Sequence, residues 1–433
     1  MSDITLDDIA SLAKRRGFIY QGSEIYGGLA GTWDYGPLGV ALKRNIMNLW
    51  WKTFVESRDD MYGVDAAILM NQKVWQASGH VDTFTDPLVE CGNCKSRFRE
   101  DQIDTSKCPA CGKENTFGPA RQFNMMFKTN VGPVDDEASI SYLRPETAQG
   151  IFTNFKNVVD SFYPDLPFGL AQQGKAFRNE ISPRDFIFRS REFEQMEIEY
   201  FVHPEKWEET FEQWRTAIHE WCKALGLPDD KLHELEVPAE DRAHYSKRTI
   251  DFEFEFPHGR KELLGLAYRT DFDLKNIERA SGKKMDYRPK DGGAAFVPHV
   301  IEPSFGVERA IMAVLTSAYT VDEINGEKRT FLKLPKELAP VKAAVSPLLK
   351  NKPELVAKAR EVYTMLQKEL GAVMWDDNGN IGKRYRRQDE IGTPACITID
   401  FQTLEDNTVT VRNRDTAEQE RVKSESILDT LRP

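Results

Sequence analysis

The chain reads as an α+β protein, an antiparallel β-sheet flanked by helices and followed by a smaller α/β unit. Three observations carry that expectation. Apolar and charged residues alternate along residues 172–201 and again along 250–268, the period-two pattern of strands with one buried face. Around these stretches, residues 6–13, 37–55, 205–225 and 310–319 repeat apolar side chains at helical spacing. Beyond Pro335, Pro340 and Pro347 the pattern changes to strand, helix, strand and further strands, a separate small unit. With 433 residues, 40% hydrophobic and 29% charged, the chain has room for two or three globular domains of ordinary composition.

The elements follow in order. Leu6, Ile9, Leu12 and Ala13 share a helix face that ends near Gly17, and a glycine-rich segment spans 22–39. Pro37 opens a second helix through Leu42, Ile46, Leu49, Trp50, Phe54 and Val55, apolar over much of its circumference and therefore buried in a core or against a partner. Val64, Ala66, Ile68, Leu69 and Met70 suggest a strand, and Phe123, Met125, Met126 and Phe127 resume the main domain. Residues 144–150 lead into a helix bearing Phe152, Phe155, Val158 and Val159.

Residues 172–201 read as a hairpin with short arms. Phe177, Ile181, Phe186 and Phe188 alternate on one arm, Phe193, Met196, Ile198 and Tyr200 on the other, with Ser182, Pro183, Arg184 and Asp185 as the turn. Its charges could be a solvated face. Their mixture also suits a nucleotide plus an amine: arginines grip phosphates, carboxylates take ammonium or exocyclic amines, and an aromatic ring stacks on a base. After it come a helix with Trp207, Phe211, Trp214, Ile218 and Trp221, an acidic loop over 227–248, further strands, and a helix over 310–319. A short strand at 331–334 precedes the boundary near 335–345. Strands at 343–345, 372–375, 395–401 and 409–412, with a helix over 354–370, make the last unit. In it Lys383, Arg384, Tyr385, Arg386 and Arg387 form the densest basic patch, readable as solvated helix surface or as RNA contact.

Four of six cysteines form two pairs, Cys91 with Cys94 and Cys108 with Cys111, at zinc-ribbon spacing beside turn-forming Gly92, Pro109 and Gly112. Four thiolates leave no open position, so a structural Zn²⁺ is expected, with a degenerate site as the alternative. Cys222 and Cys396 are read as core packing. A net charge of −11 argues against a general nucleic-acid coat and restricts any such contact to a patch. No apolar run approaches bilayer length, and the first eight residues lack the sections of a secretory signal, so a cytoplasmic protein without membrane contact is expected.

Phe177, Arg178, Asn179 and Glu180 with Arg189 and Phe193 resemble motif 2 of the class II aminoacyl-tRNA synthetases. Gly306, Val307, Glu308 and Arg309 resemble motif 3, and the helix opened by Pro37 resembles motif 1. Residues 22–39, 144–150, 191–197, 302–309 and 382–392 are similar, in that order, to the homodimeric glycyl-tRNA synthetases, a likeness covering essentially the whole chain. The resemblance implies a class II catalytic domain over 1–337, a zinc-ribbon insertion over 88–119 within it, and an anticodon-binding domain over 338–433. It implies glycine–tRNA ligase activity, with ATP, Mg²⁺ and tRNA(Gly), in a homodimer.

For the site, the resemblance implies that Arg178 and Arg309 are catalytic. It assigns ATP to Arg178, Asn179, Glu180, Phe188, Arg189, Ser190, Arg191, Glu192, Phe193, Glu262, Leu263, Gly306, Val307, Glu308 and Arg309. Glu180 would meet the adenine amino group, Phe193 and Arg309 opposite faces of the base, Arg189 the outer phosphates, and Glu262 the metal side. Glycine falls to Arg99, Glu146, Phe193, Glu194, Gln195, Met196, Glu197, Glu302, Pro303, Ser304, Phe305 and Gly306, with Glu146, Glu197 and Glu302 around its ammonium. A pocket filled to the α-carbon rejects alanine by clash and needs no editing domain. Two alternatives stand beside this, a non-catalytic synthetase-like RNA-binding or regulatory subunit and a class II ligase for another amino acid.

Overall fold

The computed structural model describes residues 4–134, 136–243, 245–324 and 326–431. At its centre lies a seven-stranded sheet of β1 (Met61–Gly63), β2 (Phe168–Phe177), β3 (Glu192–Val202), β4 (Leu232–Glu236), β5 (Arg248–Phe256), β6 (Gly259–Thr270) and β7 (His299–Gly306). The spatial order is β4-β5-β6-β7-β3-β2-β1, antiparallel throughout except for β1 beside β2. Because side chains alternate along each strand, the sheet has two unlike faces. Ile250 and Phe252 of β5, Leu264 and Leu266 of β6, Ile301 and Phe305 of β7, and Met196 and Ile198 of β3 form the apolar one. The intervening residues, among them Glu197, Ser304 and Glu302, face the other way.

The helices that cover the sheet include α1 (Leu6–Arg16), α2 (Pro37–Trp51), α3 (Ala148–Phe162), α4 (Trp207–Ala224) and α5 (Val307–Ala318). α1 starts at a Thr5–Asp8 capping box and stops at Gly17, whose φ of 75° closes the helix while Lys14, Arg15 and Arg16 sit at the negative end of its dipole. Leu42, Ile46 and Trp50 of α2, Trp214 and Trp221 of α4, and Ile311 and Leu315 of α5 cover the apolar face. Each such fully buried side chain contributes about 1.5–3 kcal/mol before entropy is charged. On the opposite face, Ile151, Phe152 and Phe155 of α3 cover only one end, packing on Phe168, Leu170, Phe201 and Val300. What remains uncovered there is a polar cleft. Among the described residues no helix is long and apolar enough to cross a membrane.

Several local expectations are corrected. Residues 64–70 are not a strand: after Val64 N–H bonds Ala171 O, the carbonyl of Ala66 is taken by the buried Arg144 guanidinium (2.7 Å), which removes it from any ladder. The acidic 227–248 stretch contains the edge strand β4, whose Glu234 and Glu236 are paired with Arg215 (2.8 Å) and Arg248 (3.1 Å). The arms of the 172–201 hairpin are longer than expected, ten and eleven residues, and the turn is displaced: Asp185 and Phe186 take positive φ at the tip of the 178–191 loop. A second hairpin, Tyr319–Ile324 with Glu327–Leu332, stands where one short strand was read.

The Cys-containing segment belongs to a three-stranded sheet of Thr85–Glu90, Arg97–Arg99 and Arg121–Asn124. The C-terminal unit is a five-stranded sheet built on Ala343–Pro347, flanked by parallel Val373–Trp375 and Ala395–Ile399 and extended antiparallel by Thr408–Asn413 and Gln419–Lys423. Buried arginines tie it to the rest. Arg329, 1% exposed on the second hairpin, donates to Asp322 (2.8 Å) and to Arg414 O (2.6 Å) and lies 3.4 Å from Asp389, which also receives Arg412 at 2.7 and 3.0 Å. Arg414 reaches back to Leu334 O (2.9 Å). Much of the 383–387 basic patch is used in the same way. Arg384 is buried on the carbonyls of Pro347, Asp377 and Gly379, Arg387 pairs with Asp376, and Arg386 with Glu327. Lys383 is exposed.

Candidate active site

The open end of the cleft is built on the loop joining β2 and β3. Arg191 braces that loop from beneath, donating to Glu180 O (3.2 and 3.0 Å) and Ala30 O (2.7 Å), while its own N–H bonds Gly31 O. Gly31 has φ +74°, and a Cβ there would lie 2.6 Å from Pro183, so glycine is what lets the 22–39 segment seat on the loop. So supported, Arg178 donates to Pro145 O (3.0 Å) with its guanidinium 5.2 Å from the Phe193 ring and 5.4 Å from Phe84. Arg309, from the first turn of α5, lies 4.7 Å over Phe188 and 3.0 Å from Glu262. Buried Glu180 sits 3.5 Å from Arg189. Arg178, Glu180, Phe188, Arg189, Phe193, Glu262 and Arg309, with Arg99, Ser190, Gln195, Leu263, Ser304, Gly306 and Glu308, line a cavity of about 320 Å³. Cations, two aromatic faces and a buried carboxylate in one cavity are the chemistry that holds a nucleoside triphosphate.

Further in, the same face turns anionic. Glu197 Oε1 accepts from Ser304 Oγ (2.7 Å) and Gln195 Nε2 (2.8 Å), and its Oε2 accepts from the Thr147 backbone N–H (3.0 Å) and hydroxyl. Glu302 accepts from Arg269 Nη1 (2.7 Å), and Arg269 is shared with Asp273 (2.8 and 2.9 Å). Glu146 Oε2 lies 3.3 Å from His80 Nε2. Burial raises Glu302 to about 8 despite Arg269, with Glu197 and Glu146 adding to the shift. Burial, then Glu146, also raises Glu197. Burial would raise Glu146 too, but His80, Arg269 and Arg178 hold it down at about 2. Glu199 continues the row with neither carboxylate oxygen partnered among the described residues, and burial beside Glu302 pushes it well above the usual range. A buried anionic pocket of this kind is complementary to one small ammonium group.

Strand alternation separates the expected residues. Phe193, Gln195 and Glu197 of β3 and Glu302, Ser304 and Gly306 of β7 come together on the cleft face. Glu192, Glu194 and Met196 turn away. Glu192 pairs with Lys175, Glu194 with Lys43, and Met196 is core, so their side chains are not in the cleft. Pro303 shares the register of the apolar face, and Phe305 and Val307 lie in its core cluster. Arg191 is spent on the brace, and Asn179 bonds Met125 O through its backbone without lining the cavity. Glu308 is buried against Tyr35 (3.2 Å) and the Glu194 N–H (2.9 Å), and burial raises it to about 7. Arg99 does line the cavity, held by Asp86 (2.8 Å) and Asp101 (2.7 Å) beside Glu180.

Sequence reasoning missed Arg269, His80, Glu199 and Asp251. Arg269 and Glu199 had a signal: each follows an apolar run at the alternate parity, so each had to face the polar side. His80 had none, since its partner is distant in sequence. Asp251 lies opposite Gly265, and burial with neighbouring Glu262 and Glu253 raises it to about 7.

The four cysteines converge. Their sulfurs all lie within 4.8 Å of one another, Cys91 to Cys111 at 3.8 Å and Cys94 to Cys108 at 3.7 Å. A tetrahedron with metal–sulfur bonds of ~2.3 Å has edges of about 3.8 Å, so this geometry fits a closed four-thiolate metal site. Lys95 (φ 60°) and Gly112 (φ 69°) supply the tight returns, and the Asn93 amide bonds Cys111 Sγ (3.4 Å).

Comparison with known proteins agrees with this arrangement. The family model described as tRNA synthetase class II core domain (G, H, P, S and T) matches residues 127–318, and the anticodon binding domain model matches 342–433. The glycine–tRNA ligase of Thermobifida fusca is 48% identical over 98% of this chain and 96% of its own length. That of Bifidobacterium longum is 49% identical over 99% and 92%, and that of Borrelia hermsii 47% over 99% and 97%. A class II core with arginines lining its cavity, an anionic pocket in the same cleft, an appended anticodon-binding domain and near-half identity along almost the whole chain place this chain in the glycine–tRNA ligase family.

Proposed function

We propose that the chain activates glycine with ATP and transfers the glycyl group to the 3′ end of tRNA(Gly). One observation supports this above the rest: one cleft over a single sheet face holds Arg178 and Arg309, from the adjoining loop and helix, at one end and Glu146, Glu197 and Glu302 at the other. In the first step a glycine carboxylate oxygen forms a bond to the α-phosphorus as the bond to the β-phosphate oxygen breaks, and pyrophosphate leaves. Both reactants are anions, so fixed guanidinium charge is what the step requires, and Arg178, anchored on Pro145 O between Phe84 and Phe193, can supply it without reorganising. The nucleophile is already ionised and needs no general base. Adenine is taken between Phe193 and Arg309 with Glu180 at its amino group, and Arg189 meets the outer phosphates.

Glycine's ammonium lies among the three carboxylates. Mg²⁺ would neutralise phosphate oxygens. Glu262, opposite Glu253 on β5, is the hard oxygen donor proposed to face it, with Glu262 3.0 Å from Arg309 and Glu253 2.7 Å from Arg260 before any ion binds. Zn²⁺ suits the four thiolates as a structural ion. Residues 1–337 form the catalytic domain, 88–119 its zinc-ribbon insertion and 338–433 the anticodon reader. The protein acts in the cytoplasm as a homodimer; exposed Ile25, Tyr26 and Leu29, at 89, 88 and 57%, give one apolar surface for a second copy. A regulatory, non-catalytic role is disfavoured because both arginines and all three carboxylates are present. ATP–pyrophosphate exchange with glycine, alanine and serine in turn is the test. Exchange with glycine alone is expected; none with any of them would return the chain to a binding role.

A further inference from the structure

Among the groups that hold Glu146 down, His80 comes from outside the central sheet. It opens a short helix, His80–Thr83, behind Gly79 (φ +84°), on the segment that leads into the Cys-containing sheet. Its ring is fixed on every side. Nε2 lies 3.3 Å from Glu146 Oε2 and Nδ1 2.8 Å from Ser78 Oγ, with both the imidazole and the Glu146 side chain only 12% exposed. Trp75 and Phe84 enclose the ring at 5.5 and 5.4 Å. The Asn124 amide secures the backbone behind it through His80 O (3.3 Å) and Val81 O (2.7 Å). Ser78 Oγ, which also donates to Trp75 O (3.4 Å), closes off Nδ1 and leaves Nε2 as the ring nitrogen that faces the carboxylate.

The neighbouring charges show why that matters. Arg269 is occupied by Asp273 and Glu302, and Glu197 is satisfied by Thr147, Ser304 and Gln195. For Glu146 the other side-chain contact among the described residues is Gln149 Nε2 at 3.4 Å, a neutral amide that is shared with Asp273 Oδ1 (2.9 Å). A buried carboxylate so placed among others would turn or take up a proton unless one donor held it. We propose that His80 is a positioning residue for amino-acid recognition: its imidazole holds the Glu146 carboxylate oriented and ionised to receive glycine's ammonium. The same segment meets the nucleotide side through the Phe84 ring, 5.4 Å from the Arg178 guanidinium, and through Phe84 O, which accepts from the Met125 N–H (3.0 Å), contacts that do not depend on the imidazole proton. The inference rests on the assignment of Glu146 to glycine.

The experiment separates a donor from a space-filling ring. His80→Phe keeps an aromatic between Trp75 and Phe84 but removes the N–H; His80→Gln removes the ring and returns an N–H at nearly the Nε2 position. KM for glycine, KM for ATP and kcat are read in pyrophosphate exchange, with thermal melting alongside. The expected result is a rise of at least about tenfold in glycine KM for His80→Phe, the loss of one charge-assisted contact. ATP KM should stay within about twofold, and His80→Gln should recover most of the glycine KM. Wild-type glycine KM in His80→Phe, or equal rises in both constants, overturns the proposal. Should the Phe variant not fold, His80→Ala against His80→Gln asks the same question, and failure of Gln to improve on Ala overturns it. Glu146→Gln run in parallel distinguishes the failures. If it too leaves glycine KM unchanged, the assignment of Glu146 falls; if it raises glycine KM while His80→Phe does not, only the role of His80 falls.

Discussion

Glu197→Gln tests the division of the cleft most directly. The carboxylate has two kinds of neighbour. On Oε2 the Thr147 backbone N–H can only donate, so an amide must keep its oxygen there. On Oε1 the Ser304 hydroxyl can turn to accept, and Gln195 can flip to offer its Oε1, which is buried and otherwise unpartnered among the described residues. The substituted amide is therefore accommodated with its NH₂ toward Ser304, and the fold survives. What is lost, on the proposed assignment, is one buried carboxylate opposite the ammonium. Removing one side of such a pair costs about 2–5 kcal/mol, and a mid-range value of about 3 kcal/mol is roughly a hundredfold. Glycine KM in pyrophosphate exchange is expected to rise by about that factor, with ATP KM within about twofold and an unchanged melting temperature. Equal rises in both constants, or a glycine effect below about fivefold with the protein folded, would refute the assignment.

Other expectations are simpler to state. Glu302, raised to about 8, is largely protonated at pH 7 and must ionise to pair with an ammonium, so glycine KM should fall as pH rises from 7 toward 8.5; a flat profile would contradict it. By the same linkage, its contribution to stability is complete below about 4.5 and is lost as pH rises through about 8, so the gain in melting temperature on adding glycine should widen over that upper range. Cys91→Ser should reduce the metal content found by elemental analysis, and full zinc loading would remove Cys91 as a ligand. A Cβ at Gly174 would lie 2.3 Å from Arg144 Nη2, so Gly174→Ala should cost about 1–3 kcal/mol and lower the melting temperature. Arg384→Ala should destabilise the C-terminal domain, whereas Lys383→Ala should leave melting unchanged and alter only tRNA charging.

What could be read beforehand depended on how local its cause is. Thr5, Gly17 and Pro37 announce helix ends within a few residues, and the apolar period of 250–268 determines which face of β5 and β6 is buried. Resemblance named residues along β3 as a continuous run, but a strand can present only every second one, which is why Glu192, Glu194 and Met196 leave the cleft while Phe193, Gln195 and Glu197 stay. β4 escaped notice because its acidic residues are neutralised by Arg215 and Arg248, partners that composition alone cannot assign. The same holds for residues 64–70, where a buried arginine from position 144 takes the carbonyl a ladder would have used. Arg269 and His80 act through carboxylates far away in sequence.

The Arg329 junction gives the molecule the character of a caliper. One jaw carries the cleft and the other the anticodon-binding domain, and the pivot between them is closed by Arg329, Asp389, Arg412 and Arg414, with Arg329 and Asp389 almost wholly removed from water. Removing one partner from such a buried network costs about 3–5 kcal/mol, so the junction favours one setting of the two jaws. On the proposed function, the distance a bound tRNA spans between its anticodon and its 3′ end is set at this junction.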